Sequence, residues 1–150
     1  MRPAPRIFTL RSVPDTDAIK RYVDEQHPRR AVVVGGGFIG LEMAENLHHL
    51  GLRVDVVEMA DQVMAPLDFS MAALVHRHLT DRGVGLYLKD GVVRFEESPA
   101  GRVTVSLQSG RQIVSDLVIL SIGVRPETTL AREAGLEIGE RRGIAVNEYM

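Results

Sequence analysis

Residues 31–51 read AVVVGGGFIGLEMAENLHHLG. Four apolar residues, three of them β-branched, run into three consecutive glycines, and apolar residues at helical spacing follow. The valine run predicts a strand buried on both faces of a parallel sheet, because such strands lack apolar/polar alternation. The second half predicts a helix from about Phe38 to Leu50, with Gly51 at its C-cap. Between them, Gly35, Gly37 and Gly40 make the pattern G-x-G-x-x-G. The hexapeptide alone is weak evidence. Its context is stronger: it follows a strand, opens a helix, and is succeeded by RVDVVE, a second strand ending in Glu58. Gly40 and Glu58 are 18 residues apart, close to the ~20 expected when an acidic residue meets the ribose of a dinucleotide.

Each residue type has a physical reason to be there. Gly35 allows the tight strand-to-helix turn, Gly37 leaves room for a pyrophosphate to approach the backbone, and Gly40 lets the helix pack on the strand. The helix N-terminus offers unpaired N–H groups and partial positive charge to phosphates. Glu58 can accept hydrogen bonds from both adenosine ribose hydroxyls and would repel a 2′-phosphate. Met59 and Ala60 bring no cation to reverse that, so the pattern predicts NAD(H) in preference to NADP(H). The competing reading is a turn that only packs a helix on a strand, and the complete strand–turn–helix–strand–acid pattern disfavours it. Gly36 has no role assigned by the motif.

Working outward, VPDTDAIKRYVDEQ predicts a linker helix over about 14–26, with Pro14 and Asp15 at its start. FSMAALVHRHLTDRG predicts a helix ended by Gly83, and VGLYL a third strand. The order β-α-β-α-β argues for a right-handed, parallel, doubly wound sheet. GVVRFEES, GRVTVSLQ and RQIVS then predict a three-stranded antiparallel meander. DLVILSIG predicts a strand returning to the main sheet, PETTLAREAG a short helix, and GIAVNEYM a further strand-like piece. The expected fold is therefore α/β: a Rossmann-like doubly wound parallel sheet with helices on both faces, plus the meander. The 150 residues are expected to form one nucleotide-binding domain, with its core over about 30–146; at this length roughly 68–70% of the unfolded surface can be buried.

Bulk properties exclude several classes. A net charge of −2 gives no electrostatic reason to expect nucleic acid or an anionic membrane. No apolar run approaches the ~20 residues of a membrane-spanning helix, and MRPAPRIFTLRSVPD lacks the apolar core of a signal peptide. There are no cysteines, so these residues hold no disulfide, thiolate metal site or catalytic thiol. That fits a reducing compartment, and a cytoplasmic location is expected. His48 and His49 are adjacent and cannot share a helix face; His76 and His78 point in different directions. All four are expected to be packed or solvated rather than metal ligands. Asp61 and Asp68 are expected to cap or be solvated.

The stretch RRAVVVGGGFIGLEMAENLHHLGLRVDVVEMADQVM resembles the pyridine-nucleotide domain of flavin-dependent pyridine nucleotide–disulfide oxidoreductases, in particular the coenzyme A-disulfide reductase and NADH oxidase/peroxidase branch. DLVILSIGVRPET is similar to that family's second signature. GIAVNEYM looks like the link back to an FAD domain, and IFTLRSVPDTDAIKRYV like the incoming link. The resemblance implies hydride transfer from NADH to an FAD bound outside this chain. Its partner would be the FAD domain of the same parent polypeptide, itself a homodimer. Because the redox-active cysteine of the family is absent, the chain looks like an excised NAD domain that binds nucleotide without turnover. The resemblance further implies that Gly35, Gly37, Phe38, Ile39 and Gly40 hold the pyrophosphate, and Glu58 the ribose with Met59 beside it. Val92 would lie near the adenine, and Ile122 and Gly123 along the nicotinamide half. Phe38, where many members have Tyr, and Glu42 would face the flavin.

Two rival readings meet opposing residues. A nucleotide-sensing regulatory domain of a transport system shares the glycine pattern but has no place for the meander or for SIGVRP. A short-chain dehydrogenase needs Tyr-x-x-x-Lys, and neither Tyr22 nor Tyr87 has a lysine four residues on.

Overall fold

The computed structural model describes residues 6–149. In chain order the elements are β1 (Ile7–Thr9), α1 (Val13–Gln26), β2 (Arg30–Val34), α2 (Phe38–His49), β3 (Arg53–Val57), α3 (Phe69–Asp81), β4 (Gly85–Tyr87), β5 (Val92–Glu97), β6 (Val103–Leu107), β7 (Gln112–Ser115), β8 (Leu117–Leu120) and α4 (Thr129–Glu133). The main sheet is wholly parallel, in the order β1-β8-β2-β3-β4. The valine run of β2 is its centre, flanked by β3 and β8, which is why that strand is apolar throughout. Strands β5, β6 and β7 form a separate antiparallel sheet, as the turn-separated short runs predict.

Successive strand residues point to opposite faces, and the two faces of the main sheet meet different layers. Ala31, Val33, Val54, Val56, Leu117 and Ile119 pack against Ile19 and Tyr22 of α1, Ala44 and Leu47 of α2, and Leu79 of α3. On the other face, Val32, Val34, Val57 and Val118 pack against Val103, Val105, Leu107 and Ile113 of the meander. The expected two-sided covering is therefore refined. Among the described residues, that second core contains no helical side chain; the meander itself covers the face. β6, the central strand of the meander, supplies an alternating apolar face, buried at Val103, Val105 and Leu107, and so covers the sheet as a helix layer would.

Two sequence expectations are corrected and one is sharpened. Ile7–Thr9, read as a link, is a strand: it pairs parallel with β8, Ile7 opposite Val118 and Thr9 opposite Leu120. Pro14 and Asp15 do stand in the first turn of α1, with Ser12 as its N-cap. Asp15 acts from the third helical position, accepting the Ser12 N–H at 2.9 Å, the Ser12 hydroxyl at 2.9 Å and the Arg11 N–H at 3.0 Å. The Ser12 hydroxyl first, then the Arg11 amide, hold its carboxyl below the usual carboxylate range. Finally, GIAVNEYM makes no strand. Ile144 forms one antiparallel bridge with Ile138, and the Ala145 N–H donates to the Glu137 carbonyl at 2.9 Å; Met150 lies outside the described residues.

Polar groups tie the layers together. Buried Asp55 of β3 accepts from Arg30 of β2 at 2.8 Å through both Nε and Nη2. Buried Asp90, just before β5, accepts the Ser109 hydroxyl at 2.6 Å and the Ser109 N–H at 2.9 Å. Those bonds, the hydroxyl first, lower its carboxyl below the usual range and pin the β6–β7 turn to the end of β4. The Tyr22 hydroxyl donates to the Asp116 carbonyl at 2.8 Å and accepts from Arg6 at 2.6 Å; burial pushes that phenol above its ordinary value. Among the described residues, no helix is long and apolar enough to cross a membrane.

Candidate nucleotide site

The carboxyl ends of β2, β3 and β8 converge, and the glycine turn sits on them. Gly35 has φ +107°, a conformation open to glycine and costly for other residues. Its N–H donates to the Val57 carbonyl at 2.8 Å, and a Cβ there would run into the Ser121 carbonyl at the end of β8. A Cβ at Gly40 would run into the Gly35 carbonyl. These two glycines are therefore demanded by close backbone approach: one lets β2 turn against β8, the other lets α2 start against that turn. Gly37 is different. It is the N-cap of α2, has φ −79°, and a Cβ on it would meet nothing within 4 Å. The space before it is open, as a cradle for a bulky anion requires.

The helix start supplies donors to that space. The Leu41 N–H makes the first bond of the turn, to the Gly37 carbonyl at 3.0 Å, so the amides of Phe38, Ile39 and Gly40 come before the intrahelical ladder. Phe38 and Ile39 are exposed.

Gly36, which the motif leaves without a task, is fixed by residues further along the chain. Its N–H donates to Glu58 Oε2 at 2.6 Å, and its carbonyl accepts from the Met64 N–H at 2.8 Å. A Cβ on it would come within 2.6 Å of Val63 Cγ1. The other oxygen of Glu58, Oε1, accepts the Ala60 N–H at 2.8 Å. Glu58 is thus held by one amide on each oxygen at the rim of the turn. An ionised carboxylate has about four acceptor sites, so each oxygen retains one for a further donor.

The other sequence-predicted residues fall into three groups. Met59 stands exposed beside Glu58. Val92 begins β5, half-buried against the meander core, two residues after Asp90, whose N–H donates to the Glu58 carbonyl at 3.2 Å. Ile122 and Gly123 lie beyond β8, Ile122 75% exposed and Gly123 at φ +106° with open space where a Cβ would be. Ser121, just before them, has a buried hydroxyl with no partner.

Phe38 and Glu42 both face a broad groove of about 1470 Å³ between α1, α2 and residues 120–127. That groove is lined near the turn by Gly37, Phe38, Ile39, Ser121, Ile122 and Gly123; half-buried Glu58 is not among its lining residues.

Two residues escaped the sequence reading. Lys89 donates its backbone N–H to the Ala60 carbonyl at 2.8 Å, which ties the segment after β4 to the loop beside Glu58. His76 of α3, expected to be solvated or packed, accepts the Val63 N–H on Nε2 at 3.1 Å. Neither pairing has a local sequence signal: α3 and β4 separate Ala60 from Lys89, and His76 reaches back from α3 to the irregular loop before it. Asp68 occupies the N-cap position of α3, where its backbone carbonyl accepts from Met71 and Ala72, both at 2.9 Å.

Comparison with known proteins places this geometry. The family model described as "Pyridine nucleotide-disulphide oxidoreductase" matches residues 4–150. An NADH oxidase of Methanocaldococcus jannaschii is 39% identical over 145 residues, 96% of this chain and 32% of that protein. A coenzyme A disulfide reductase of Staphylococcus haemolyticus is 30% identical over 142 residues, 95% of this chain and 31% of that protein. The crystal structure of reduced Bacillus anthracis CoADR-RHD superimposes with a TM-score of 0.88 at 54% identity, covering 97% of this chain and 26% of that one. The chain therefore spans about a third or less of the length of these relatives. The match runs through strand, glycine turn, acidic rim and meander alike, and the chain belongs to the pyridine nucleotide–disulphide oxidoreductase family.

Proposed function

We propose that the chain is a single NAD(H)-binding unit that positions nicotinamide for hydride transfer to a flavin held by other residues. The observation that carries this reading is the Glu58 carboxylate, held on both oxygens by the Gly36 and Ala60 amides beside an open helix N-terminus. The amides of Phe38, Ile39 and Gly40 take the pyrophosphate, with the positive end of α2 adding to the attraction. Glu58 accepts the two adenosine ribose hydroxyls, with Met59 and Val92 flanking the adenine end. Ile122 and Gly123 line the nicotinamide half, where the missing Cβ of Gly123 leaves room for a flat ring. Phe38 and Glu42, on the groove that continues from there, face the flavin. NADH bound in this way would supply a hydride to FAD, with the electron pair passing on to a disulfide, a peroxide or oxygen. These residues contain no cysteine, so they bind and orient, and turnover needs groups they do not supply.

The preference for NADH is tested at Glu58. A 2′-phosphate would meet this carboxylate, and each hydrogen bond to a charged group contributes about 1.5–3 kcal/mol. Glu58→Ala is expected to weaken NADH binding by about tenfold to a hundredfold while improving NADPH binding, because the carboxylate that opposes a 2′-phosphate is then gone. Calorimetric titration of both nucleotides into both proteins measures this. NADPH binding tighter than NADH in the unaltered chain would refute the assignment of Glu58.

A further inference from the structure

The loop between β3 and α3 is latched to the glycine turn from behind. Val63 is fully buried and fills the place a Gly36 Cβ would take; Met64 donates to the Gly36 carbonyl; Gly36 in turn donates to Glu58. What holds Val63 is an imidazole. His76 Nε2 accepts the Val63 N–H at 3.1 Å, and the His76 ring stands edge-on to Phe69, with centroids 6.3 Å apart. Met64 adopts φ +52°, a costly backbone for a residue with a Cβ, so the loop needs outside contacts to keep this shape.

We propose that His76 is a positioning residue for dinucleotide binding, acting through the sequence His76, Val63–Met64, Gly36 and Glu58. The inference rests on the nucleotide reading given above. An imidazole whose Nε2 accepts a hydrogen bond supplies what no apolar side chain can: an acceptor for an amide in a loop that has no strand to pair with. With Val63 held, the loop presses on Gly36 and the Gly36 N–H points at Glu58 Oε2. Without it, Glu58 keeps only its local bond to Ala60 and samples orientations that do not match the ribose hydroxyls. His76 itself touches no nucleotide.

The test uses His76→Leu, which removes the acceptor, and His76→Gln, whose Oε1 can occupy about the position of Nε2. NADH affinity is measured by calorimetry for the unaltered chain, both variants, Glu58→Ala, and the double variant Glu58→Ala/His76→Leu. Losing one orienting hydrogen bond predicts about fivefold weaker NADH binding in His76→Leu, near-complete recovery in His76→Gln, and no further loss when His76→Leu is added to Glu58→Ala. That last result marks action through Glu58, because independent effects would add. A merely structural role would lower thermal stability and leave the cycle additive. Equal losses in Leu and Gln, additive losses in the double variant, or unchanged affinity in His76→Leu would each overturn the role of His76. If the unaltered chain failed to bind NADH, the nucleotide reading itself would fall.

Discussion

Gly35→Ala is expected to destabilise the fold by about 3 kcal/mol or more and to abolish NADH binding, whereas Gly37→Ala keeps the stability and loses only the binding. The two glycines are two residues apart, but their constraints are opposite. At Gly35 the backbone has φ +107°, which costs a residue with a Cβ of order 1–3 kcal/mol. The added Cβ would also collide with the Ser121 carbonyl, and a backbone carbonyl at a strand end cannot swing aside as a flexible side chain would. Strand β8, through the Ser121 N–H bond to the Val34 carbonyl at 2.8 Å, must shift or β2 must. At Gly37 the backbone is one alanine adopts freely and the space is empty. An alanine methyl there replaces no contact in the folded chain, but it stands where a pyrophosphate would come against the helix amides. Urea unfolding and NADH calorimetry of both variants separate the two effects. A Gly37→Ala protein that binds NADH as tightly as the original would place the phosphates elsewhere.

Arg30→Met is expected to cost about 3 kcal/mol, because it leaves Asp55 as a buried charge without its partner. Asp55 is 1% exposed, and its Oδ2 takes both bonds from Arg30. The Arg30 side chain is 31% exposed, so water can reach part of the gap, which places the loss at the lower end of the ~3–5 kcal/mol range for broken buried pairs. Replacing both partners by apolar residues, Arg30→Met with Asp55→Leu, is expected to recover most of it, since no charge then remains to be solvated. In urea unfolding the midpoint should fall in the single variant at an unchanged slope, as a loss of stability without a change in the unfolded surface requires. A single variant as stable as the double would show that the carboxylate is not stranded.

The parts of this molecule that were legible in its sequence are those set by neighbouring residues. A β-branched run, a glycine turn and helical spacing within residues 31–51 specify β2, the turn and α2 without outside help, and the acid 18 residues beyond Gly40 marks the end of β3. What was not legible depends on distant pairing. Ile7–Thr9 is three residues long and is a strand only because β8, more than a hundred residues later, offers it an edge. The covering of one sheet face by the meander follows from how Val103, Val105 and Leu107 dock, which alternation reveals as an apolar face but cannot direct to a target. Gly36 is the clearest case at the site itself. Its pattern position gives no duty, yet both its backbone groups and its missing Cβ are used by Glu58, Met64 and Val63. Its role is therefore visible only once the loop after β3 has folded back. Val92, Ile122 and Gly123 carry no local signal of their own and rest on the resemblance; their chain neighbours Asp90 and Ser121 bond to Glu58 and Val34, pairings that no spacing rule encodes.

The central claim is that the dinucleotide lies across the turn from Glu58 to Gly123. It is tested most directly by titrating NADH into ¹⁵N-labelled protein and following each backbone amide by NMR. Saturable shifts are expected at Gly36, Gly37, Phe38, Ile39, Gly40, Ala60 and Gly123, with the amides of Glu45, His48, Val75 and His78, which line a second cleft between α2 and α3, unaffected. Saturable shifts at that cleft, with the amides of residues 36–40 unmoved, would contradict it.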